Sequence, residues 1–206
     1  RNLAGQIAYA GIAPKEGDTV VVSAASGAVG SAVGQLAKAR GCRVIGIAGG
    51  PEKCAYVVGE LGFDACIDHK LHRDLPSFGR ALKDAAPRGV DGLFENVGGI
   101  GLDAVMLQMN DFGRIAMCGM IAGYNGEPIP MAAPQLILRS RLKVQGFIVG
   151  EHREFWPEAL QELARRVAGG QLKYRETIAQ GLANAPEAFL GLLQGRNFGK
   201  QLVRLV

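Results

Sequence analysis

Two hundred and six residues, 48% hydrophobic and 20% charged, are enough to bury a substantial core, which excludes disorder as the main state. A net charge of +4 spread along the chain gives no basic tract of the kind that binds nucleic acid, and no apolar run reaches the roughly 18 residues of a membrane span. Residues 1–12 lack a signal-peptide pattern, so a soluble, cytoplasmic protein with no membrane partner is expected.

In chain order, short β-branched runs alternate with longer helical stretches from Thr19 to Val149, the pattern of a parallel sheet covered by helices. Strands are predicted at Thr19–Ser23, Arg43–Ala48, Ala65–Asp68, Val90–Glu95, Arg114–Cys118 and Leu142–Val149. Helices are predicted at Ala28–Arg40, Pro51–Leu61, Ser77–Ala86 and Leu102–Met109, with Gly41 and Gly62 as C-terminal stops. The fold class is α/β: a doubly wound, six-stranded parallel sheet of Rossmann type over residues 1–150. Beyond it, Glu151–Leu172 reads as an amphipathic helix with Phe155, Leu160, Leu163 and Val167 in one stripe and Gly169-Gly170 as its terminator. Strand Glu176–Gln180, helix Ala185–Leu193 and strand Lys200–Leu205 follow. These last strands do not extend the alternation and are assigned to another sheet, so residues 151–206 form a second unit.

The first strand runs into Ala24-Ala25-Ser26-Gly27-Ala28-Val29-Gly30-Ser31 and then a good helix. This is the dinucleotide fingerprint with Ala25 in place of its first glycine: Gly27 lets the backbone approach a pyrophosphate, and Gly30 lets helix pack on strand. Amides at the helix start favour an anion. An ordinary glycine-rich turn is the plain alternative. About 20 residues on, where an NAD site carries Asp or Glu, the chain has Gly49-Gly50 and then Pro51-Glu52-Lys53. The missing carboxylate and the lysine favour NADP over NAD, with a solvated surface residue as the alternative for Lys53. His69, Lys70, His72 and Arg73 follow the third strand as a source of positive potential or as ordinary surface residues. Asn96, Tyr124, Phe147 and Asn197 likewise have plain readings as turn, surface, core and cap.

Cys42, Cys54, Cys66 and Cys118 are separated along the chain and form no CxxC pair, so they read as small fillers and no metal site is expected. A Ser/His/Asp hydrolase is disfavoured because Ser26 lacks the GxSxG elbow.

The stretches AASGAVGSAVGQLAKARGCRVIGIAGGPEKC, ELGFDACIDHK, FENVGG, FGRIAMCGMIAGYN and GRNFGKQLV resemble, in order and spacing, the zinc-independent medium-chain reductases. That family includes leukotriene and prostaglandin reductases and curcumin-type 2-alkenal reductases. The resemblance implies reduction of the carbon–carbon double bond of α,β-unsaturated aldehydes and ketones by NADPH. It places Gly27, Ala28, Val29 and Gly30 at the pyrophosphate, and Lys53, with His69 where the family commonly has Tyr, at the 2′-phosphate. Asn96, Val97 and Gly98 approach the cofactor. Cys118, Gly119, Tyr124 and Phe147 lie near the nicotinamide, and Asn197 returns to touch the cofactor. Tyr124 becomes the candidate catalytic residue, hydrogen-bonding the developing enolate.

Other departures are Ile7, in Gly5-Gln6-Ile7-Ala8-Tyr9, where the family has a threonine, and Gly150-Glu151-His152 in place of aromatic residues. The resemblance further implies that the chain begins in a helix leading into the cofactor domain, that a GroES-like N-terminal catalytic domain is absent, and that the last two strands have lost their sheet partners. A homodimer through the sixth-strand edge is a candidate assembly. A quinone reductase and a nucleotide-binding fragment without activity are the competing functions, separable by turnover of a 2-alkenal against a simple quinone.

Overall fold

A computed structural model describes residues 12–126, 128–151 and 153–205. The expected lead-in helix, Ile7 and His152 lie outside these residues. Six strands form one parallel sheet in the order β3-β2-β1-β4-β5-β6: β1 Thr19–Val22, β2 Arg43–Ala48, β3 Ala65–Asp68, β4 Val90–Glu95, β5 Met109–Met117 and β6 Lys143–Gly146. Their β-branched runs suit a sheet buried on both faces, because alternate side chains feed two separate apolar layers. Val20 and Val22 point into one layer with Val44, Ala48 and Phe94, closed by helices α1 (Ala28–Lys38) and α2 (Pro51–Gly59). Val21 points into the other with Ile45, Ile47, Leu93 and Ile115, closed by α3 (Leu75–Ala85), α4 (Ile100–Met106) and α5 (Gln135–Arg139). This is the predicted doubly wound fold.

Several boundaries differ from expectation: α3 and α4 begin earlier, at Leu75 and Ile100, and the helix expected over Glu151–Leu172 is shorter. Strand β5 begins at Met109, five residues early, because its first turns carry the polar and exposed Asn110-Asp111-Phe112 and pair with β4 through a register shift between Val90 and Gly92. A bulged opening breaks the alternation that marks a strand. Strand β6 stops at Gly146, and the chain then makes 3-10 turns at Val149–Glu151 and Arg153–Phe155 before α6 (Trp156–Ala168), which carries Pro157 in its first turn. Helix α5 has five residues, too few to show a period.

The C-terminal segment forms its own two-stranded parallel sheet. Strand β7 (Glu176–Gln180) pairs with β8 (Lys200–Arg204) from Glu176↔Lys200 to Gln180↔Arg204, joined through α7 (Ala185–Leu193). The two strands expected to have lost their partners pair with each other. Among the described residues, no helix is long and apolar enough to cross a membrane.

Candidate cofactor site

The order of the sheet reverses between β1 and β4, and the carboxyl ends of these strands, with that of β5, form the rim of a crevice. After β1 the chain turns through Ala24 (φ 48), and the Ala25 amide donates to the Ile47 carbonyl at 3.0 Å, tying the loop to β2. Gly27 precedes α1, and its amide donates back to the Ala24 carbonyl at 2.9 Å. A Cβ at Gly30 would sit 2.4 Å from that carbonyl oxygen, so helix and strand meet too closely for any side chain. No side chain caps α1, and its first amides, at Ala28, Val29 and Gly30, are the donors a helix start leaves for an anion. Ala28 and Val29 are exposed there.

At the end of β2, Gly50 has φ 100, a conformation that favours glycine, and its amide donates to Asp68 Oδ1 at 2.8 Å. Asp68 also accepts from the Lys70 amide at 3.0 Å. Burial pushes the Asp68 carboxyl up, but these two amides outweigh it and hold the group below its usual range. The acidic group absent from Gly49-Gly50 is therefore present nearby but occupied with backbone. Around Gly49 stand basic side chains instead: a Cβ there would lie 2.7 Å from His69 Nε2 and 3.2 Å from Lys70 Cε. Lys53, in the first turn of α2, donates to the Gly195 carbonyl at 2.7 Å. Burial, and then the like charge of Lys70, lower the Lys53 ammonium from its usual value. Burial lowers His69 too, with Asp68 opposing and the two lysines adding to the shift. Lys53 and Lys70 thus repel each other across a shared corner and keep His69 from gaining a charge, the electrostatic condition that a bound phosphate relieves.

At the switch point, Glu95 is 1% exposed. Its Oε1 accepts from the Ser23 hydroxyl at 2.7 Å and from the Val97 and Gly98 amides at 2.5 and 2.8 Å, while Oε2 has no partner. Burial outweighs these donors and pushes its carboxyl up. Asn96 donates through Nδ2 to the Ser23 carbonyl at 2.8 Å, so its side chain braces β1 against β4 and does not reach into the crevice. Val97 and Gly98 present the rim through backbone.

Beyond β5, the Cys118 and Gly119 amides both donate to the Glu95 carbonyl, at 2.8 and 3.1 Å. Burial raises the half-buried Cys118 thiol. The Tyr124 ring lies 64% exposed, with its hydroxyl 3.4 Å from where a Gly119 Cβ would stand, and this hydroxyl makes no hydrogen bond among the described residues. Phe147 packs edge-on against Phe94 at 5.9 Å, half in the core.

The C-terminal segment closes on the fingerprint loop. Gly27 and Gly199 form a parallel bridge, and the Gly199 amide donates to the Ser26 carbonyl at 3.1 Å. Gly199 has φ 68, and a Cβ there would meet the Arg175 carbonyl oxygen at 1.9 Å. Phe198 is covered by the Arg175 guanidinium at 4.0 Å and met edge-on by the Tyr56 ring at 5.0 Å. Asn197 donates to the Gly199 carbonyl at 2.9 Å and lines an open cavity of about 330 Å³ with Thr177, Gln180, Glu187, Arg196 and Gln201. The structure therefore brings Lys53, His69, the fingerprint loop and the Asn197 turn to one face. Glu95 and Asp68 were missed in sequence, although a carboxylate ending an apolar strand was a legible signal in both.

The zinc-binding dehydrogenase family model matches residues 28–165. The chain belongs to this family. It is 44% identical to the NADPH-dependent curcumin reductase of Escherichia coli over 98% of its own length and 60% of that protein's. It is also 44% identical to the NADP(+)-dependent 2-alkenal reductase of Nicotiana tabacum, over 97% of this chain and 59% of that one. The crystal structure of CurA from Vibrio vulnificus in complex with NADPH superposes with a TM-score of 0.87 at 45% identity, over 98% of this chain and 61% of that one. The chain thus spans about 60% of the length of these relatives.

Among the described residues, no three His, Cys, Asp or Glu side chains gather in a group that could hold a metal ion. A phosphate-bearing dinucleotide does fit, with open amides at α1, a cationic corner at Gly49 and an unpartnered buried carboxylate oxygen at the switch point.

Proposed function

We propose that the chain is the cofactor-binding part of an NADPH-dependent reductase acting on the carbon–carbon double bond of α,β-unsaturated aldehydes and ketones. The observation that carries this reading is the placement of His69 and Lys70 around Gly49, with Lys53 close enough to feel the Lys70 charge, where a ribose-binding carboxylate would repel a 2′-phosphate. The first amides of α1 hold the pyrophosphate, and the rim from Val97 and Gly98 to Cys118 and Gly119 receives the nicotinamide. Bound there, NADPH supplies a hydride from its nicotinamide C4. Tyr124 donates a hydrogen bond to the substrate carbonyl oxygen as negative charge moves onto it, a role suited to an exposed hydroxyl beside the glycine rim. Asn197 fixes the turn through which the C-terminal segment reaches the fingerprint loop. The curcumin and 2-alkenal reductases among the relatives support the enone class. No step calls for a metal. Strand β6 is an edge of the sheet and the place where a second copy would extend it.

The test has two arms. Lys53→Ala is expected to weaken NADPH binding about tenfold or more while leaving NADH within about twofold, because only the former carries the phosphate. Equal losses for both remove the 2′-phosphate assignment. In the longer protein, Tyr124→Phe is expected to lower 2-alkenal turnover about 100-fold with NADPH affinity unchanged. Preference for a simple quinone over a 2-alkenal would transfer the activity to quinone reduction.

A further inference from the structure

Cys54 and Cys66, far apart in sequence and expected to be separate fillers, meet beside the cationic corner. Cys54 lies in the first turn of α2, directly after Lys53, and Cys66 lies in β3, in register with Gly46 of β2. Their sulfurs are 3.0 Å apart, with the Cys66 thiol donating to Cys54, and both residues are half-buried. A small oxidant reaches such a pair, and only about 1 Å separates the contact from a disulfide bond.

The pair is polarised. The hydrogen bond from Cys66 lowers the Cys54 thiol from its usual value, against burial and the Asp68 charge. The same bond, and then burial, keep the proton on Cys66. The start of α2 adds a dipole that favours a thiolate at Cys54. Cys42, by contrast, is buried with its thiol donating to the Lys15 carbonyl, and its thiol is raised by burial. Cys54 is therefore the attacking sulfur and Cys66 the resolving one.

We propose that Cys54 and Cys66 are a peroxide-sensitive dithiol whose disulfide loosens the adjoining phosphate corner. The Cys54 thiolate attacks one oxygen of hydrogen peroxide: an S–O bond forms, the O–O bond breaks, and the departing hydroxide takes a proton and leaves as water. Cys54 is then a sulfenic acid. The Cys66 sulfur attacks it: the S–S bond forms, the S–O bond breaks, and the departing hydroxide takes the Cys66 proton as a second water. Two thiols have lost two electrons and two protons, and one peroxide has been reduced. Closing the sulfurs draws the first turn of α2 toward β3. Lys53 rides on that turn, while His69 and Lys70 directly follow β3, so their spacing changes. This consequence rests on the cofactor reading above; the disulfide itself does not.

The whole chain, reduced and then treated with hydrogen peroxide, is expected to lose the mass of two hydrogens and to yield a linked Cys54–Cys66 peptide that dithiothreitol separates. Cys66→Ser is expected to stop at a dimedone-trapped Cys54 sulfenic acid, and Cys54→Ser to give neither product. Unlinked thiols in the treated chain, or linkage to Cys42 or Cys118, overturn the assignment. The oxidised chain is expected to bind NADPH about tenfold more weakly than the reduced chain, with NADH changed little and dithiothreitol restoring the difference. A linked chain with unchanged NADPH affinity overturns the coupling. A reduced chain that binds no NADPH overturns the cofactor reading, and the linked peptide then decides the dithiol by itself.

Discussion

The six-stranded sheet and the β7–β8 pair use the same parallel hydrogen bonding, but only the first is sealed. All four residues of β1 are buried, as are five of the six in β4, whereas β7 alternates exposed and half-buried positions along its whole length. At the centre of the large sheet both faces are covered by helices, so consecutive side chains of β1 and β4 reach a core. In the small sheet α7 packs on β8, while Ile178, Leu182, Phe189 and Leu190 remain in solvent. Pairing alone therefore fixes register without supplying burial. The register of β7–β8 is held instead by polar and aromatic ties: Thr177 Oγ1 bonds the Phe198 carbonyl and amide, and Arg175 stacks on Phe198.

The largest test of this contrast is a matched pair of truncations. Leu93→Ala, at a fully buried position of β4, is expected to cost about 2–5 kcal/mol in urea unfolding, and Ile178→Ala, at a residue 38% exposed in β7, under about 1 kcal/mol. Equal costs would erase the distinction. Gly199→Ala forces the backbone away from the Arg175 carbonyl and strains a left-handed residue, at about 1–3 kcal/mol. Hydrogen exchange is expected to show protection lost across β7 and β8 and kept in β1 and β4; loss in all four would make the two sheets one cooperative unit.

Glu95→Gln sharpens the large-sheet side through pH. The native Glu95 carboxyl holds its proton above the unfolded value of about 4.3, so stability is fullest below that value and falls as pH rises toward the native one. The urea midpoint of the wild type is expected to decline relative to Glu95→Gln as pH climbs from 4 upward; parallel profiles would show that Glu95 is not held protonated.

Legibility in the sequence followed the same divide. Strands β2 and β4 fall where predicted because a strand buried on both faces writes most of its length in apolar residues, and the edge strand β3 is marked by the helix stop at Gly62 before it. The half-polar start of β5 and the five-residue α5 carry no such mark. In the site, the glycine turn between β1 and α1 was readable because the close approach of Gly30 to the Ala24 carbonyl dictates the residue type at a fixed spacing. The Cys54–Cys66 contact was not, since it depends on the parallel register of β2 with β3, which places α2 over Cys66. Glu95 was legible as a carboxylate ending an apolar strand, but its tie to Ser23 was not, since that bond joins two strands that are neighbours only through a crossover.

The bridge between Gly27 and Gly199 joins points separated by most of the chain. During synthesis Ser26 emerges long before Gly199, so its carbonyl waits for the Gly199 amide. Closing so long a loop is slow compared with forming β1 and α1. The glycine loop is thus local at its start and non-local at its finish, and full order there serves as a kinetic signature that the return segment has docked.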